Sequence, residues 1–179
     1  MQGRDITGLI ALIVGVGLLP VIIGNEYYLG VLIFTAFNCL AAIGLCLLMG
    51  YAGQISIGHG AFVAIGAYAS GLLTVKLGWS PWSAMLAGAA ITAVVAALIG
   101  LPTLRLKGHY LAMATLGFAS IVHILAVATV DVTGGPSGLL NIPRISVFGI
   151  SLDSDTRFFY FSWAAVVIGL YVGFNIINS

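Results

Sequence analysis

"GYAGQISIGHGAFVAIGAY", Gly50–Tyr68, separates two apolar runs, and its reading decides how the chain crosses its solvent. The stretch holds Gly50, Gly53, Gly58, Gly60 and Gly66, together with Gln54, Ser56 and His59. A glycine weakens a helix by about 1 kcal/mol relative to alanine. The cluster over Gly50–Gly58 therefore predicts either a re-entrant break or a simple turn, and the residues alone leave both open. Downstream, small residues recur at spacing four, Gly60 with Ala64 and Ala67 with Gly71. That pattern lets membrane helices approach backbone to backbone, so a tightly packed helix is expected here. Gln54, Ser56 and His59 add polar groups that are costly in hydrocarbon. Such groups face a bundle interior or a water-filled path.

Working outward, the 179 residues are 61% hydrophobic and 6% charged, with a mean hydropathy of +1.17. A soluble domain carries about a quarter charged residues, so this chain's solvent is mostly lipid. The net charge is +1 with no basic run, which argues against nucleic acid as a partner. Apolar runs of about 20 residues predict six spans, because lipid satisfies no open backbone. They are Ile6–Ile23, Leu29–Gly50, a third within Ile55–Val75, Trp82–Leu104, Tyr110–Val130 and Phe158–Ile177. The first is too long for a signal-peptide core and lacks a cleavage site. Tyr27, Tyr28, Trp79, Trp82 and Trp163 fall near predicted ends, where amphipathic rings favour the interface. Arg4, Arg105 and Lys107 fall on one side and Lys76, Arg144 and Arg157 on the other, an even count, and the short turn that holds both Arg105 and Lys107 decides for a cytoplasmic N-terminus.

Other polar positions offer two readings. His109, Met113, Leu116, Ser120, His123 and Val127 form one stripe at four-three spacing. Its polar members, like Asn38 in the second span, serve either interhelical hydrogen bonds or a pathway lining. For His59 a hydrogen-bonded interior role outweighs a path-lining one, and the residues argue against a metal site, since no second ligand sits at a supporting spacing. Cys39 and Cys46 lie roughly 10 Å apart on a helix, too far for a disulfide. The segment "TGGPSGLLNIP" gathers Thr133, Gly134, Gly135, Pro136 and Gly138, and reads as a surface loop or an external docking surface. No Gly-Lys pair exists for a P-loop, and no HExxH, CxxC or buried acidic residue occurs. These absences argue against an enzyme and against a proton-driven carrier. A stand-alone channel or secondary carrier for a small neutral solute such as urea or an amide remains the alternative to a transport subunit, followed by a non-transporting assembly protein.

Three stretches together resemble one family. They are Leu40–Leu73, "LPTLRLKGHYLAMATLGFASIVHI" (Leu101–Ile124) and Thr133–Pro143. They are similar to permease subunits of branched-chain amino acid ABC importers, in the LivM-type branch. The resemblance implies an all-α, polytopic bundle and a multi-pass protein of a bacterial or archaeal inner membrane. It implies pairing with a second homologous permease, two cytoplasmic ATPase subunits that bind ATP, and an extracytoplasmic substrate-binding protein. No cofactor is implied in the chain itself. Many members carry an acidic and a basic residue where Ser120 and His123 stand. Members also continue into a basic coupling loop and further spans, so residues 1–179 are expected to form a single permease domain cut short before that loop.

Overall fold

The computed structural model describes residues 15–20, 24–103, 105–106, 108–143, 145–147, 150–151 and 154–177. Residues 15–20 are helical. Five long helices follow: α1 (Glu26–Gly50), α2 (His59–Leu77), α3 (Pro81–Thr103), α4 (His109–Ala128) and, after a short α5 (Val130–Thr133), α6 (Asp155–Ile177). All five long helices are long and apolar enough to cross a membrane. Each closes its own backbone hydrogen bonds, as a lipid solvent requires. Among the described residues the strand structure is a two-residue antiparallel ladder, Ser146–Val147 against Ile150–Ser151.

The predicted spans and the observed helices agree in order, with ends moved by a few residues. The first predicted span, Ile6–Ile23, falls outside the described residues except for the helical 15–20. Arg4, Lys107 and Arg144 also lie outside them. The fifth span stops at Ala128 instead of Val130, because the chain bends at Thr129 before α5. Between α1 and α2, residues 51–58 are not helical, and Gly53 takes a left-handed φ of 61°.

Local chemistry sets the helix ends. α2 stops at Gly78, whose left-handed conformation lets its N–H reach the Leu73 carbonyl. Ser80 opens α3, its hydroxyl accepting from the Ser83 N–H at 3.3 Å with Pro81 at the first helical position.

By its internal contacts the chain divides into two compact units. One takes in α1, α6 and the ladder. Its core is Leu29, Ile33 and Phe159, with Trp163 and Phe158 against it. Leu40 and Ile43 of α1 reach the surface of Gly169, and Ile43 and Leu47 that of Gly173, so two glycines four apart on α6 receive branched side chains. Tyr160 donates its hydroxyl to the Gly17 carbonyl at 3.1 Å.

The other unit runs from Leu48 to Ile145 and holds α2 to α5. α2 and α3 cross at small residues. A Cβ on Gly88 would lie 3.0 Å from the Gly66 carbonyl oxygen and 3.1 Å from the Ser70 Cβ, and one on Gly66 would lie 3.0 Å from the Thr92 hydroxyl. The crossing therefore uses the Gly66–Ser70 register of α2. Gly71 instead receives Leu139 and Ile142, and Gly60 opens on unfilled space. The two pairs picked out by spacing, Gly60 with Ala64 and Ala67 with Gly71, share the neighbouring face of the helix, and Ala67 borders the groove toward α3. Phe62 of α2 meets Phe118 of α4 with ring centroids 5.0 Å apart.

Candidate functional site: a cleft between α2 and α4

α2 and α4 diverge enough to leave a cleft of about 670 Å³, within the size range of small-molecule sites. α2 contributes Gly60, Ala61, Ala64 and Tyr68, a face repeating at spacing four. α4 contributes Ala119, Val122, His123, Ala126 and Val127. Ile57 closes one end, and Gly135 with Pro136 the other. The walls are small and aliphatic, with glycine and alanine on the α2 face and alanine with valine on the α4 face. Two polar side chains interrupt them, the His123 imidazole and the Tyr68 phenol. Among the described residues, no carboxylate, ammonium or guanidinium lines the space. Such a surface suits a small ligand with an aliphatic body and one or two polar groups.

Each end of the cleft is tied to the helical frame by a threonine hydroxyl. At the first end, the Ile57 N–H donates to Thr115 Oγ1 at 3.1 Å, while that hydroxyl donates to the Ala112 carbonyl at 3.0 Å. Gly58 is buried there. A Cβ at Gly58 would run into the Thr115 carbonyl oxygen, so only glycine allows this approach. At the second end, Thr133 is 8% exposed. Its hydroxyl donates to the Ala126 carbonyl at 2.6 Å, shared with Thr129 at 2.8 Å. It accepts in turn from the Gly135 N–H at 3.2 Å. Gly134 takes φ 78°, and a Cβ there would strike the Gly138 carbonyl, so the turn is closed to other residues. Lys76 fastens the same corner by donating to the Asp131 carbonyl at 2.6 Å.

The residues singled out by sequence are distributed unevenly over this geometry. His123 lines the cleft, as do Gly60, Gly135 and Pro136. Ser120 is exposed and turns its hydroxyl back to the Leu116 carbonyl at 3.0 Å. Asn38, on exposed α1 surface in the other unit, donates to the Phe34 carbonyl at 2.9 Å. Gln54, Ser56 and His59 are half-buried in and just after the non-helical segment, and the Gln54 N–H donates to the Leu48 carbonyl at 3.3 Å. Gly50 and Gly53 have open space where a Cβ would stand. Within "TGGPSG", Thr133 and Gly135 are buried while Pro136 and Ser137 are exposed, so the segment is a folded corner with an exposed tip. Among the described residues, no cluster of three His, Cys, Asp or Glu could hold a metal ion.

Sequence reasoning missed Thr115 and Tyr68. The predicted α4 stripe contains His109, Met113, Leu116 and Ser120, all exposed. The packed face lies on the far side of the helix, about 140° round from that stripe, and runs through Leu111, Thr115, Phe118, Val122 and Ala126. The usable signal was Thr115 itself, a hydroxyl in an otherwise aliphatic turn.

Residues 27–178 match the family described as the permease component of branched-chain amino acid transport systems. The chain belongs to this family. It is 38% identical over 123 residues to the high-affinity branched-chain amino acid transport system permease protein LivM of Salmonella typhimurium, and 37% identical over 123 residues to that of Escherichia coli. Each match takes in 69% of this chain and 29% of the relative, so the chain covers less than a third of the length of the relatives it matches. No solved structure matches the chain. Family membership and five membrane-length helices agree that this is a multi-pass membrane protein of permease type.

Proposed function

We propose that the chain forms part of the membrane-spanning permease of an ABC importer for branched-chain amino acids, and that the α2–α4 cleft is a stretch of its translocation path. The observation that carries this reading is the lining of the cleft. Small aliphatic walls accept an aliphatic side chain, and His123 and Tyr68 offer polar contacts to its head group. Weak, few contacts suit a path, since a solute that binds must also leave. Asn38, Gln54, Ser56, His59 and Ser120 stand as further candidates for polar lining. The assembly would place a second homologous permease beside the chain, two ATPase subunits on the cytoplasmic side and a substrate-binding protein outside, in an inner membrane with the N-terminus cytoplasmic. ATP would be hydrolysed by those partners and not by this chain, which needs no cofactor of its own. Transport then follows from nucleotide-driven exchange between conformations of the assembly.

A chimera tests this. Residues 27–178 replace the matching segment of the Escherichia coli relative, and leucine uptake is followed in cells lacking that relative. The expected result is restored, ATP-dependent uptake that falls about tenfold or more when His123 becomes alanine, the size of a lost hydrogen bond to a charged group. Uptake by the chain alone in liposomes, without nucleotide, would replace this reading with that of a self-sufficient channel or carrier.

A further inference from the structure

The geometry points to Thr115 as a positioning residue, whose hydroxyl holds the Ile57–Gly58 rim of the cleft against α4 and so sets the width of the path proposed above. The segment 51–58 has no helix of its own to fix it. Its backbone must therefore be placed from outside. The Ile57 N–H reaches Thr115 Oγ1 at 3.1 Å, and the next residue, Gly58, is buried against the backbone of the same threonine. The hydroxyl is aimed by its own bond to the Ala112 carbonyl. One side chain thus accepts from the rim and donates to the frame. Ile57 is itself a wall of the cleft, and Gly60 and Ala61 follow within a turn. Releasing the Ile57 N–H frees that wall to move outward while leaving His123 and Tyr68 where they are. The inference rests on the transport reading for its consequence but not for its geometry.

The experiment separates the two. The 179-residue chain is placed in lipid nanodiscs as wild type, Thr115→Val and Thr115→Ser, and amide exchange is read residue by residue. Valine keeps the shape and removes the acceptor; serine keeps the acceptor. The Ile57 amide should exchange about five- to tenfold faster in Thr115→Val, the factor for one net hydrogen bond, and return to wild-type rates in Thr115→Ser. The Gln54 amide, bonded to Leu48 and not to Thr115, should not change. Should valine perturb insertion, Thr115→Ala carries the same comparison on a residue that favours helix. Uptake by the chimera should fall with valine and recover with serine. An Ile57 amide indifferent to Thr115→Val overturns the assignment. Faster exchange with unchanged uptake also overturns it as a positioning role, while leaving the transport reading intact. A chimera that transports nothing in any variant defeats the transport reading alone, and the exchange pattern still decides whether Thr115 holds the rim.

Discussion

Two single atoms' worth of space fix the ends of the cleft. At Gly58 the limit is steric, because its φ of −89° is open to any residue while the Thr115 carbonyl blocks a side chain. Gly58→Ala should therefore destabilise the α2–α4 unit by about 1–3 kcal/mol, the usual cost of overpacking, seen as a lowered unfolding midpoint in detergent. At Thr133 the limit is polar. Thr133→Val would leave the buried Gly135 N–H without its acceptor, at a cost of about 1–3 kcal/mol. The measurable sign is faster exchange at the Gly135 amide, with the Gly134 amide, bonded to Val130, much less affected. Both residues lie in stretches that the sequence marked as unusual. Their partners were not legible there, because a hydroxyl's acceptor role depends on which loop folds back onto it.

The long helices were legible almost to their ends, since lipid turns length and apolarity into a direct demand for helix. Which face of each helix meets a neighbour was not. An all-apolar helix has no polar side to mark its outside, so periodicity carries little information about packing. α4 shows the consequence: a stripe chosen by its histidines and serine lies well round the helix from the packed face. α2 shows it again, with the crossing at Gly66 and Ser70 where spacing alone offered several pairs. The crossing makes a contrast between glycines of one helix type. Gly88→Val should weaken α2–α3 association by about 1–3 kcal/mol, because its side chain must enter the space of the Gly66 carbonyl and Ser70. Gly117→Ala on exposed α4 surface, with nothing within 4 Å of the new Cβ, should stabilise the chain by up to about 1 kcal/mol through helix propensity. Paired thermal or detergent titrations of the two variants check the sign as well as the size.

At the scale of the molecule, much large apolar surface stands open, Leu86 and Tyr110 at 74% exposure among it. In water this would be an aggregation surface; in a bilayer it is the face a multi-pass protein shows to acyl chains or to neighbouring subunits. Against that background the polar groups of the cleft have a defined test. His123 makes no hydrogen bond among the described residues, so it contributes little to holding the fold. Its replacement should therefore separate transport from stability. His123→Leu removes every polar atom of the ring and keeps an apolar volume that lipid and alanine walls accept. Insertion, expression and the unfolding midpoint should stay near wild type, while uptake by the chimera falls about tenfold or more. His123→Gln retains a donor and an acceptor and should recover part of the loss. A structural imidazole would give the opposite pair of results: a lowered midpoint with leucine, and uptake that falls only in proportion to the protein lost.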